Sequence, residues 1–277
     1  MASLPLARRR SHLAPLLSLA LLAAVLVAPA PAAADDTMAV SAAEAAMVAA
    51  LNADRTERGL VPVRVDARLM AIARARSVDM VVNHYFDHVQ PDGRTVFDIL
   101  SASGITWFGA GEIIAKNNYP TLDTSLQRAN LDWLNSPGHY EIIVSTSYNY
   151  VGVGLAVDPG TGEKYWTADY LKGPDRTGAQ ARVRTPTISA GSTSSRRKVH
   201  LSWSGADVQL QVLTSGLFTY RVQRKTDSGG WVTVRSSTSR TSLALDLPRH
   251  HTYQFRIRAR DRAGNWGTWS SVRVRLR

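Results

Sequence analysis

The chain has no cysteine. If it is exported to an oxidising space it has no disulfides to staple it, so each folded unit must stand on its own apolar core. The same absence removes thiolate metal sites and leaves histidine and carboxylate as the only strong ligand types. Beyond residue 34 no further long apolar run occurs, which argues against a bilayer-spanning helix in that part of the chain. Acid is scarce in the second half. Residues 180–277 hold 18 Lys+Arg and 4 Asp+Glu (18 − 4 = +14), whereas residues 35–179 hold 12 and 18 (12 − 18 = −6). That imbalance points either to an anionic partner for the second half or to an arginine-rich composition alone. No aromatic–basic interleaving of the kind that stacks bases is visible, which argues against nucleic acid.

What is present suits a globular protein of two domains, with 277 residues and 44% apolar side chains. The first 34 residues read as an export signal rather than as fold. Arg8, Arg9 and Arg10 precede an apolar stretch at 13–27, and Ala32, Ala33 and Ala34 offer a cleavage site. The protein is therefore expected to be secreted or associated with the cell envelope.

Periodicity predicts helices over 38–58, over 66–83 with Asp66 as cap, over 96–103 and over 121–135. Leu69, Ile72, Ala73, Met80 and Val81 form the apolar side of the second helix, and Arg74, Arg76 and Asp79 take the other. Strands are expected over 107–115, 148–157 and 164–171, the last two joined by the loop 158–162. Pro137 should force Ser136 out of helical geometry and Gly138 should permit a sharp turn, ending a helix near Asn135 and fixing His139.

Four segments, in order, carry a resemblance: Tyr85-Phe86-Asp87-His88; Gly111-Glu112-Ile113-Ile114-Ala115; Trp133 followed by Ser136-Pro137-Gly138-His139; and Tyr150-Val151-Gly152-Val153-Gly154. Together they resemble the CAP superfamily (SCP or PR-1-like domain) in its bacterial form. The chain departs from that pattern at Asp87, where Ser is usual, and at Ile113 and Ile142, where Asn is usual. The resemblance implies an α+β fold, a three-layer α-β-α sandwich over residues 35–172. It also implies a cavity containing His88, Glu112 and His139, with Glu141 and Asp169 as further candidate members. The three could hold a divalent cation, zinc by ligand type, or form a hydrogen-bonded acid–base cluster. No nucleophile stands out.

Residues 173–185 are rich in turn formers and charge and read as a linker. From 186 to 277 about seven short alternating strands predict an all-β sandwich. Trp203, and Leu247 ahead of Tyr253, make it similar to a fibronectin type III domain. In that fold Arg221, Arg256, Arg258, Arg260, Arg273 and Arg275 share one outward face. Like charges across strands repel by about 0.2–1 kcal/mol per pair, which favours an anionic partner. The readings that follow are a secreted protein binding an envelope component or small apolar ligand, with the sandwich docked on an anionic polymer; a metal-dependent hydrolase; or an adhesion or spacer module.

Overall fold

The computed structural model describes residues 32–277, with side chains from Val40 onward. The expected export signal lies outside the described residues except for Ala32, Ala33 and Ala34, which begin the first helix.

Local chemistry sets the helices of the first half. Helix α1 (Ala32–Glu57) gives way at Gly59, whose φ of +72° suits glycine. Strand β1 (Arg64–Val65) leads to α2 (Ala67–Val82), where the Asp66 carboxylate accepts the Arg68 N–H as cap. Thr95 and Asp98 form a reciprocal capping box at the start of α3 (Val96–Ala102). Then follow β2 (Gly109–Asn117), α4 (Leu122–Asn135), α5 (Pro137–Ile143), β3 (Tyr150–Val157) and β4 (Lys164–Lys172).

The strands form one sheet in the order β1-β3-β4-β2. Strand β1 joins parallel to β3 and the remaining pairs are antiparallel, so β2 is an edge. Helices α1, α4 and α5 cover one face, packing Met47, Leu51, Leu126 and Trp133 on Val151, Val153, Trp166 and Ile113. Helices α2 and α3 cover the other, with Leu69, Ile72, Val96 and Leu100 against Tyr150 and Leu171. The result is the expected α-β-α layering, and both sheet faces are buried, as the near-continuous burial of β3 and β4 requires.

The second half is all β. Strands β5 (Gln180–Val183), β6 (Thr187–Ala190), β7 (Arg196–Ala206) and β10 (Ser242–Pro248) make one sheet. Strands β8 (Leu217–Thr226), β9 (Trp231–Thr238), β11 (Thr252–Asp261) and β12 (Ser270–Arg275) make the other, ordered β12-β11-β8-β9. Leu201, Trp203, Val222, Phe255 and Ile257 fill the space between them. The Tyr253 hydroxyl donates to the Pro248 carbonyl at 3.0 Å, pinning the turn between β10 and β11.

The segment expected as a linker, 173–185, is not a free tether. Gln180–Val183 is β5, paired antiparallel with β7, because four alternating residues suffice to add a strand to an open edge. Nor is the sandwich independent of the first half. Its β7–β8 loop inserts Leu210 among Leu69, Val96, Leu100 and Ile105. The Gln211 Oε1 accepts the Val61 N–H at 2.8 Å.

Candidate functional site

The cleft opens at the exposed edge of β2. Glu112 comes from β2 and His88 from the loop after α2. Thr95, Val96 and Phe97 come from the start of α3, Ile142 from α5, and Tyr148 from the approach to β3. The cavity holds about 270 Å³.

Its charged centre is a chain of hydrogen bonds. The His88 Nδ1 stands 2.7 Å from Glu112 Oε2. A carboxylate can only accept, so the imidazole donates from Nδ1 and keeps Nε2 free. Glu112 Oε1 accepts from Arg76 Nε at 2.8 Å, and Oε2 from Arg76 Nη2 at 3.3 Å. Arg76 continues outward, Nη1 donating to the Tyr85 hydroxyl at 2.6 Å and Nη2 to the carbonyls of Asp87 and His88 at 2.9 and 3.2 Å. Tyr85 donates in turn to Asp79. One guanidinium therefore neutralises the site carboxylate and clamps the loop that carries His88. Burial alone would lower the Arg76 pKa, but the bonds and charge of Glu112 raise it above the ordinary value.

Of the expected site residues, His88 and Glu112 meet directly. His139 comes near His88 but not onto Glu112. Burial first, and then the nearby His88, hold its pKa below the usual histidine value, favouring the neutral imidazole. The expectation of a turn around it needs correction. Ser136 is extended as Pro137 demands, but Pro137 then opens α5 at its first position, where the missing N–H costs nothing. His139 thus sits on a helix, and Gly138 has no positive φ. Glu141 stays exposed on α5, reaching the cleft only through its charge on Tyr148. Ile142 walls the cleft, whereas Ile113 is buried in the core under α4 and α5.

Arg76 is the residue the sequence reading misplaced. It was assigned to the polar side of α2 and is fully buried. The spacing 69, 72, 73, 76, 80 already put it on the inward stripe; its charge concealed that.

The zinc expectation does not fit these residues. Both oxygens of Glu112 are engaged, by the Arg76 guanidinium and by His88, so this carboxylate is not open to a cation. Among the described residues, the one trio of potential ligands within 4.8 Å of one another is Asp175, Asp207 and Asp261, far along the chain from this cleft. Their oxygens are already taken by Thr177, Ser215, Gly216 and Asn265. What the cleft can do chemically is orient an imidazole and present it as a base. It brings no nucleophile: the Thr95 hydroxyl is given to Asp98.

Asp169 faces Glu112 across the β2–β4 pair. It is 1% exposed, and neither carboxyl oxygen has a partner. Burial first and the charge of Glu112 second push its pKa well up, against the pull of Arg76. The protonated acid is favoured more strongly there than in a free carboxyl. Because the folded pKa exceeds the unfolded one, its contribution is complete below the unfolded value near 3.8 and is lost as pH climbs toward the folded value. Asp169→Asn removes the titration and keeps the shape. The variant's urea midpoint should gain on wild type as pH rises above about 4, and a gap that stays constant would contradict the raised pKa.

The three-layer α-β-α sandwich thus carries a histidine–carboxylate couple at a sheet edge, and this part of the chain is similar to known proteins. Residues 48–170, somewhat less than half of the chain, match CAP, the Cysteine-rich secretory protein family, here without a single cysteine. The chain is 36% identical over 132 residues to YkwD of Bacillus subtilis (strain 168), covering 48% of each chain. It is 31% identical over 121 residues to the membrane protein YlbC of the same organism, covering 44% of this chain and 32% of that one. The chain thus spans half or less of the curated relatives it matches. Among solved structures, an extracellular SCP-domain protein from Bacillus anthracis is similar at 25% identity and TM-score 0.44, covering 52% of this chain and 45% of that one. An outer surface protein from Borrelia burgdorferi gives 18% and 0.44, covering 48% and 94%. No helix among the described residues is long and apolar enough to cross a membrane.

Proposed function

We propose that this is a secreted, non-catalytic CAP-domain protein. It holds a small apolar ligand or an apolar part of an envelope component in the cleft beside Glu112. Its basic β-sandwich, similar to a fibronectin type III domain, docks it on an anionic polymer. The observation that carries this reading is the composition of the cleft. Val96, Phe97, Ile142 and Tyr148 wall it, and of its polar members Glu112 is already neutralised by Arg76. Phe97 is still 43% exposed at the mouth, where an apolar guest would cover it.

The hydrolase reading has one observation in its favour, the carboxylate-oriented imidazole of His88. It lacks a nucleophile and a fitting metal site. Binding of the neutral apolar probe N-phenylnaphthylamine separates the two. Ile142→Glu is expected to weaken binding about tenfold by placing a charge in the wall. His88→Ala and chelator treatment are expected to leave it within about twofold. If the probe fails to bind, or if His88→Ala abolishes a metal-dependent hydrolysis of envelope extract, the reading falls.

A further inference from the structure

The outer face of the β12-β11-β8-β9 sheet is not the bare row of repelling arginines that the strand pattern suggested. The expectation of no aromatic–basic interleaving is overturned there. Guanidinium carbons alternate with indoles: Arg256 lies 4.1 Å from the Trp231 centroid and 4.3 Å from Trp269. Arg258 lies 4.6 Å from Trp269 and 4.5 Å from Trp266. Arg221 and Arg260 reach Trp266 at 4.6 and 5.7 Å. The sequence hid this because Trp266 and Trp269 fall in the loop before β12, outside any strand pattern. Each such contact is worth about 0.5–2 kcal/mol, so stacking offsets the mutual repulsion.

Stacking does not use the guanidinium edges, where the N–H donors point. Among the described residues none of Arg221, Arg256, Arg258 and Arg260 forms an ion pair. Their only protein acceptors are for Nε: Gln223 for Arg256, Gly264 for Arg260 and Ser236 for Arg221. The terminal nitrogens of all four have no protein acceptor, and Arg258 Nε is buried without one. Burial first, then the charges of Arg221 and Arg256, hold Arg258 below its ordinary pKa. No acid on this half answers them. Asp227 is paired with His251, Asp246 with Arg196, Asp261 with Asn265, and Asp207 with loop N–H groups. A face that positions four cations and supplies no counter-charge is complementary to an anion from outside.

Its geometry limits which anion. Arg256, Arg258 and Arg260 alternate along β11, so their roots repeat at about 6.6–6.8 Å, two residues of strand rise. Trp266 and Trp269 are each already stacked by two or more guanidinium groups, which disfavours stacking of a nucleobase on them. We infer that this face is a rack for an extended phosphodiester polymer without bases, a polyol phosphate chain, whose successive phosphates are taken by the edges of Arg256, Arg258 and Arg260 with Arg221 alongside. This rests on the anionic-polymer half of the proposed function and gives that polymer its chemistry.

The probe is fluorescent poly(glycerol phosphate), titrated with the full chain by anisotropy between about 50 and 200 mM salt, where phosphate contacts should weaken steeply. Arg256→Gln combined with Arg258→Gln is expected to weaken binding about tenfold or more. Because that variant also removes stacking and could unfold, Ser271→Glu is the second arm. Ser271 is exposed and pairs across from Arg256, so a carboxylate there answers the cations from within. It should raise the urea midpoint and lower the affinity about tenfold together, opposite signs that general damage cannot produce. If the wild type binds the polymer and both variants bind equally well, the rack is wrong and polymer docking stands. Tighter binding of single-stranded DNA or of a polyuronate overturns the phosphodiester assignment. If the wild type binds no polyanion at low salt, the rack and the docking reading fall together.

Discussion

Arg76→Met will destabilise the protein by about 3–5 kcal/mol, the cost of removing one partner from a buried ion pair. The arginine side chain is fully buried and the Glu112 side chain is 3% exposed. Methionine fills most of the space but leaves a carboxylate with no cation, beside Asp169, which is already starved of hydrogen bonds. It also releases the Tyr85 hydroxyl and the carbonyls of Asp87 and His88, so the loop carrying His88 loses its clamp. Two further variants isolate the cause. Arg76→Lys restores charge but not the fork, and should recover only part of the loss. Arg76→Met combined with Glu112→Gln removes both charges and should be more stable than Arg76→Met alone. Urea unfolding gives all three numbers. A loss below about 1 kcal/mol for Arg76→Met would mean that the pair is not the keystone of the cleft. Hydrogen exchange at 85–89 supplies the local readout and should rise in Arg76→Met without rising across the sandwich core.

The parts of this fold that local chemistry decides were readable from the chain. Asp66, Thr95, Gly59 and Gly104 mark helix ends where caps and positive φ leave little choice. The alternation in β7, β8 and β11 was equally clear, because one face of each meets the core. What escaped was decided by tertiary neighbours. Arg76 looks like a surface residue until Glu112, 36 positions later, is folded against it. The Arg–Trp stack needs a loop to fold back over two strands. Pro137 breaks one helix and begins another with equal ease, and only the packing of α5 on β2 selects the second outcome. The strand Gln180–Val183 was masked by a polar composition that suits an edge as well as a linker. For the cleft, the pairing of His88 with Glu112 was legible through the family resemblance. The meaning of the pair was not, because Arg76 decides whether Glu112 can accept a metal.

Two glycines from the segments that carried the resemblance should respond with opposite signs. Gly154→Ala is expected to cost about 3 kcal/mol or more, at or beyond the upper end of ordinary overpacking. Its φ is not positive, so conformation is not at issue; space is. A Cβ at Gly154 would lie 2.2 Å from the Ala73 carbonyl carbon and from the Arg74 nitrogen, and one at Gly152 would lie 2.2 Å from the Leu69 carbonyl carbon. These are backbone atoms of α2 and cannot rotate away. The helix sits directly on β3, close enough for the Ser77 hydroxyl to donate to the Gly154 carbonyl at 3.1 Å. Lifting α2 also lifts Arg76, so Gly154→Ala should loosen the His88 loop although it touches no cleft residue. Gly138 is the contrast. It lies exposed in the first turn of α5, and a Cβ there meets nothing within 4 Å. Gly138→Ala should therefore be neutral or gain up to about 0.5–1 kcal/mol from the lower entropy of the unfolded chain. Thermal or urea midpoints of the two variants, taken side by side, decide the matter. Equal losses would mean that the GVG strand is not shaped by the approach of α2 and that Gly138 has a role in the cleft that its open surroundings do not reveal.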